Sequence, residues 1–283
     1  MIDLITVVFQ EELHLLKTQA RSIELYTRTQ DIRKIYVVVN DADSVADFVD
    51  PTWYGTHQAR VKIVRGSKWN PGAAHLNGWQ SQQLCKLLAA SKASSAWSMC
   101  LDAKTWFIQP LDLSKLFDVQ QRVNSGIYPV QPVFTSGKQF LEGYYNINMP
   151  EIIGPGGVPF VFHTATVQSL VKSFGPKFGD FLKFFKTNVS NPNVITEFYL
   201  YSSFILAREG TYKKLYNTTR YYSCYNLAEH ELDTFDSIYH AITHDDRALT
   251  ASMHRKAYSM LSAKQLRRWQ KFLSQSGLNI SNI

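Results

Sequence analysis

Several ionisable side chains stand out because the runs around them carry almost no charge. Asp102 directly follows the apolar run Trp97 to Leu101 (WSMCL) and is the only acid between Lys92 and Pro110. Glu197 is the only charged residue between Lys186 and Arg208, in the run ITEFYLYSSFILA. A carboxylate at the end of a buried strand is where an open α/β sheet binds ligands. In extended backbone, residues i and i+2 share a face, so Asp102 and Lys104 of Asp102-Ala103-Lys104 either pair with each other or face a ligand together. In the second case Lys104 neutralises phosphate, and Asp102 holds a metal ion or a ribose hydroxyl. Glu197 is either buried with a partner or facing a cleft. Burial would raise its pKa towards use as a general base.

Histidines and one helical stripe offer further chemistry. At helical spacing Trp79, Gln82, Gln83 and Lys86 fall on one stripe, almost opposite Leu84, Leu87 and Leu88. That stripe is either a solvated face or a hydrogen-bonding wall for a sugar or phosphate. His163 lies in a charge-free run, Ile152 to Gln168, and reads by default as a hydrogen-bonded core or capping residue. His240 and His244 have the i, i+4 spacing that suits zinc on a helix, without a third ligand at characteristic spacing. His254 and Arg255 supply an imidazole and a guanidinium that could return to a diphosphate.

The elements that would position these groups follow from pattern. Strands are expected at Asp3 to Phe9, Lys34 to Val39, Arg60 to Val64 and Trp97 to Leu101, with helices from Glu11 to about Tyr26 and from Gly78. Strands alternating with helices predict a largely parallel, doubly wound sheet. Beyond Pro110 the alternation decays. Ile127 to Phe134 and Tyr144 to Met149 read as strands, Gly154 to Pro159 as a loop, Phe160 to Phe162 as a strand and Thr166 to Ser173 as a helix. Asn191-Pro192 is expected to open a helix through Ala207, and a basic amphipathic helix spans Ala263 to Gln275. One domain over residues 1–283 is expected, with a nucleotide-binding half at 1–110, an acceptor-side half at 111–260, and a C-terminal helix and tail at 261–283.

Composition narrows the classes. The chain is long enough to bury a large core. No apolar run reaches the ~18 residues that span a bilayer. The start, MIDLITVVFQEE, reads as a first strand and not as a signal peptide. The three cysteines, Cys85, Cys100 and Cys224, sit among apolar or aromatic neighbours and read as reduced core thiols, so a cytoplasmic location is expected. A formal charge of +7 suggests an anionic partner. Neither GxGxxG nor GxxxxGK[ST] occurs, which weakens a dinucleotide or P-loop reading. No nucleic-acid motif appears, so no nucleic-acid partner is expected, and the Arg267-Arg268-Trp269 stripe reads as a solvated face or a peripheral membrane contact.

Three segments together resemble the GT-A glycosyltransferases, in particular a bacterial and phage group. They are Gly78-Trp79-Gln80-Ser81-Gln82-Gln83-Leu84-Cys85-Lys86-Leu87, then Leu101-Asp102-Ala103-Lys104-Thr105, then Thr196-Glu197-Phe198-Tyr199-Leu200-Tyr201. The likeness runs loosely from Ile2 to about Arg255. It implies a GT-A-like, Rossmann-like α/β fold, a nucleotide-sugar donor, and transfer of the sugar to a hydroxyl of a glycan or other acceptor. It would place Asp102 at a divalent ion (Mn²⁺ or Mg²⁺) and the donor ribose, His254 as a late metal ligand, and Val7, Asp41 and Arg65 around base and ribose. Trp79, Gln82, Gln83, Lys86, Lys104 and Arg255 would serve donor binding. Glu197 would act as base or acceptor-orienting residue. Lys104 stands where the pattern has its second aspartate, so a metal and a lysine-neutralised diphosphate are both open. A relative that binds nucleotide or glycan without turnover is the alternative.

Overall fold

In a computed structural model, residues 1–69, 76–154, 158–175, 178–188, 195–217, 219 and 221–278 are described. Four β-branched or apolar runs form the parallel part of a central sheet. They are β1 (Ile2–Val8), β2 (Ile32–Val39), β3 (Val61–Arg65) and β4 (Trp97–Asp102). The connections are α1 (Leu13–Tyr26) between β1 and β2, and α2 (Gly66–Trp69) with α3 (Gly78–Ser91) between β3 and β4. The strand order is β3-β2-β1-β4-β9, with β9 (Phe160–His163) antiparallel at the β4 edge. β1 therefore lies between β2 and β4, and the chain reverses its direction of travel across the sheet there. Such a switch point opens a crevice beyond the carboxyl ends of the two strands. The register pairs Val7 with Asp102, so the aspartate stands at that edge. The mixed α/β architecture with a mostly parallel sheet and flanking helices is the one expected.

The second half is less regular. β5 (Thr105–Phe107) leaves the turn after Asp102, and α4 (Leu113–Leu116), β6 (Val123–Asn124) and β7 (Ile127–Pro129) follow. Only the first three residues of the expected Ile127 to Phe134 strand are extended in a sheet. Pro132 then starts a short 3₁₀ turn. The expected strand at Tyr144 to Met149 is a correction. Its first residues end α5 (Thr135–Tyr145), which Asn146 closes in the left-handed region. Phe140 and Tyr144 stack at i, i+4 spacing, so this aromatic run follows a helical stripe and not an alternating one.

Next come β8 (Glu151–Ile153), β9, α6 (Thr164–Ser173), α7 (Phe178–Asn188) and α8 (Glu197–Glu209). The expected helix start at Asn191-Pro192 lies outside the described residues. Within them Thr196 is the N-cap of α8, its side chain accepting from the Tyr199 amide. The chain ends through β10 (Tyr216–Asn217), β11 (Ser223–Leu227), α9 (Phe235–His244), β12 (Ala248–Met253), α10 (Arg255–Met260) and α11 (Ala263–Gln275). β11 and β12 join β5 in a second sheet of order β11-β12-β5.

Two cores result. The larger packs the central sheet against α1, α3, α6 and α8. The smaller gathers Trp106, Leu227, Phe235, Ile242, Met253, Trp269, Phe272 and Leu273 around the second sheet. α11 thus buries Trp269, while Arg268 pairs with Asp236 and lies over the Tyr239 ring at 4.3 Å. Cys85, Cys100 and Cys224 form no disulfide. No helix among the described residues is long and apolar enough to cross a membrane.

Candidate active site

The β4–β5 turn carries Asp102 and Lys104, and a buried glutamine fixes it. Gln19 of α1 donates from Nε2 to the carbonyls of Asp102 (2.5 Å) and Thr105 (2.8 Å), while its Oε1 accepts from the Thr6 hydroxyl at 2.7 Å. The turn, β1 and α1 are thereby locked together. Asp102 ends β4, whereas Ala103 and Lys104 form the turn itself, so the two residues are not both in extended chain. Their charged ends still meet, with Lys104 Nζ at 3.7 Å from Asp102 Oδ2.

Lys86 is the centre of the site. It comes off α3 beneath the turn, with Nζ 2.8 Å from Asp102 Oδ1 and 2.9 Å from Glu197 Oε1. The Lys86 side chain is 4% exposed, that of Glu197 0% and that of Asp102 18%. Burial pushes the lysine down, yet the two carboxylates outweigh it and hold the ammonium well above the ordinary lysine range. Burial alone would raise Asp102, but Lys86 and Lys104 leave its carboxyl below the usual range. Burial dominates at Glu197, which stays raised despite Lys86. Glu197 is also the first residue of α8, where the helix dipole favours negative charge.

This corrects the expected polar stripe on α3. The helix packs against α6 and α8 as well as the sheet, so Gln83 and Lys86 are buried. Trp79, at 39% exposure, and the half-buried Gln82 retain access to solvent. Gln83 Oε1 accepts from the Glu197 amide at 3.3 Å, satisfying one of the orphan donors at the start of α8. For Glu197, of the two placements the sequence allowed, the structure has burial with a partner.

Glu12 is the acid that sequence reasoning missed as a site residue. It is half-buried just after β1, and its carboxyl is raised by burial and then by Asp102, against the pull of Lys104 and Lys86. Register held the signal, since the chain leaving β1 emerges beside the end of β4.

The late histidine does come to this edge. β12 runs antiparallel to β5 with Ser252 opposite Thr105, which carries His254 past the Asp102–Lys104 turn. Its Nδ1 meets Glu229 Oε2 at 2.8 Å, and burial and then Lys104 hold the imidazole below the usual range. Arg255 is paired with Glu11, so the guanidinium expected to return to a diphosphate ties α10 to the loop after β1 instead.

Along the same edge, Asn40, Asp41, Ala42, Asp43, Gly66, Ser67, Leu76, Gly78 and Ser81 line a cavity of about 420 Å³. Asp41 accepts from the amide of Ala42 in its own loop and from that of Gln10 in the segment after β1. Arg65 reaches Asp47 at 2.7 Å and the Asp43 carbonyl at 3.2 Å. Val7, expected around base and ribose, is wholly buried and not among the residues that line this cavity. His163 is a capping residue of α6, its Nδ1 2.9 Å from the Thr166 hydroxyl. His240 and His244 stack with ring centres 4.0 Å apart. Among the described residues no group of three or more His, Cys, Asp or Glu side chains could hold a metal ion. Lys86 takes one Asp102 oxygen at 2.8 Å and Lys104 lies 3.7 Å from the other, while His254 meets Glu229 through Nδ1 and keeps Nε2 open. With no third ligand gathered beside Asp102 and His254 among the described residues, and Lys86 already on one Asp102 oxygen, the side chains present do not form the metal site that the sequence resemblance implied.

The sequence model of the Family of unknown function (DUF6492) matches residues 10–274. The chain belongs to that family. No curated protein matches this DUF6492 chain. Solved structures similar to it include the galactosyltransferase LgtC in complex with donor and acceptor sugar analogs, at 10% identity and TM-score 0.43, covering 100% of this chain and 97% of that one. Mouse xyloside xylosyltransferase 1 is similar at 9% identity and TM-score 0.45, covering 91% and 99%. The glycosyltransferase GlyE of Streptococcus pneumoniae is similar at 10% identity and TM-score 0.48, covering 99% and 62%.

Proposed function

We propose that this DUF6492 protein transfers a sugar from a nucleotide-sugar donor to a hydroxyl acceptor. One observation carries the reading: a solvent-touching carboxylate and lysine, Asp102 and Lys104, stand at the switch point on the same sheet edge as an open cavity. β2 and β4 flank β1, so their ends are about 10 Å apart at the ordinary strand spacing. A nucleoside diphosphate spans such a gap. Base and ribose take the cavity between Asn40 and Ser81, the diphosphate reaches Lys104, and the sugar lies over Asp102.

In the transfer, the bond from the anomeric carbon to the diphosphate oxygen breaks and the oxygen leaves with the electron pair. A bond to the acceptor oxygen forms, and the acceptor proton passes to a base. Lys104 offsets the charge developing on the diphosphate. Glu197 is sealed away from any acceptor and acts through Lys86. Glu12 takes the base role, because its surroundings raise its affinity for a proton while leaving it part-exposed.

A thermal-shift panel of UDP-, GDP-, CMP- and dTDP-sugars, followed by hydrolysis and transfer assays on the stabilising donor, tests this. Lys104→Ala should weaken donor binding, and Glu12→Gln should lower turnover by about 10²-fold or more with binding kept. A second reading, a binder without turnover, is favoured by the ammonium groups on both Asp102 oxygens, which make that acid a poor base. Donor stabilisation with neither hydrolysis nor transfer would select it.

A further inference from the structure

Four groups at the β4 end are in direct ion-pair contact: Lys86, Lys104, Asp102 and Glu197. Their formal charges sum to zero. A divalent ion needs a net negative nest of oxygens, and here the two paired carboxylates are already matched by two ammonium groups, with Glu12 left beside them. Lys86 is also too buried to touch a substrate phosphate. What its ammonium does do is hold carboxylates from two separate elements, β4 and α8, each within 3 Å. Joining ligands from distant elements at short range is what a bound metal does in a protein. Glu197 Oε2 is fully buried without a hydrogen-bond partner among the described residues, so Lys86 is the charge that keeps this carboxylate in place.

We infer that the Lys86 ammonium is a built-in cation standing in the place of a divalent ion, fixing Asp102 against Glu197 and leaving Lys104 as the substrate-facing positive charge. The consequence for donors, which rests on the transferase reading, is that nucleotide-sugar binding needs no metal.

The full chain is melted in EDTA, in millimolar Mg²⁺ and in millimolar Mn²⁺. Wild type is expected to melt at one temperature in all three. Lys86→Ala should melt about 6 °C or more lower, and be partly restored by Mn²⁺ or by ethylammonium. Adding Glu197→Gln to Lys86→Ala should abolish the Mn²⁺ response. Lys104→Asp changes a part-exposed turn residue and recreates an Asp-x-Asp, yet should gain no Mn²⁺ response while Lys86 remains. The inference is overturned if wild type is stabilised by Mn²⁺, if Lys104→Asp alone binds it, or if Lys86→Ala is as stable as wild type and indifferent to cations. Should Lys86→Ala not fold, the wild-type and Lys104→Asp melts decide the matter. A donor that stabilises wild type should do so equally in EDTA and in Mn²⁺. If no nucleotide-sugar stabilises it in any condition, the transferase reading fails, and the cation melts still judge Lys86.

Discussion

Asp102 and Glu197 are both carboxylates beside the same lysine, yet their environments push them in opposite directions. Burial opposes ionisation at each, but two ammonium groups overcome it at Asp102, whereas one does not at the fully enclosed Glu197. The lowered Asp102 pKa contributes stability that is present above the unfolded value of about 3.9 and is lost as pH falls through the folded one. Asp102→Asn should therefore be clearly less stable than wild type at pH 7, with the gap closing as the melts are taken from about pH 5 to pH 3. A gap that stays constant across that range would mean Asp102 is not ion-paired in solution. The sequence showed these acids through their isolation in charge-free runs. It did not show that Lys86 serves both, because a lysine among glutamines on a helix reads as surface until a third layer, here α8, is known to cover it.

At the scale of elements, the sheet edge is shaped by backbone as much as by side chains. α2 starts at Gly66 so close under β2 that an added Cβ would lie 2.5 Å from the Val39 carbonyl oxygen, a backbone atom that cannot swing away. Gly66→Ala should cost about 1–3 kcal/mol in urea unfolding and weaken any ligand of the adjoining cavity. Unchanged stability would show that this tight approach does not exist. The parallel strands were legible, since β-branched runs such as IDLITVV and KIYVVV leave little choice. α11 was legible to its end residues from its basic amphipathic pattern. Tyr144 to Met149 was not, because aromatic residues suit strands and helices alike, and only packing against α8 decides. The β5–β12 pairing joins residues ~145 positions apart, and no local pattern encodes such a contact.

For the whole molecule, the late segment completes the site by wrapping back. β12 pairs with β5, His254 passes the Asp102–Lys104 turn, and α11 seals the second core with Trp269. Trp269→Ala should cost about 3–5 kcal/mol, and by loosening β12 should also weaken donor binding. A variant as stable as wild type would show that α11 is not docked on that core. Donor binding at this sheet edge is read most directly from the melting temperature of the intact chain against the four nucleotide-sugars in EDTA. At a hundred times its Kd a true donor contributes about 2.7 kcal/mol, or roughly 5 °C. At least one donor should give such a rise, without metal and diminished in Lys104→Ala. No rise with any of them, with or without Mn²⁺, would contradict it.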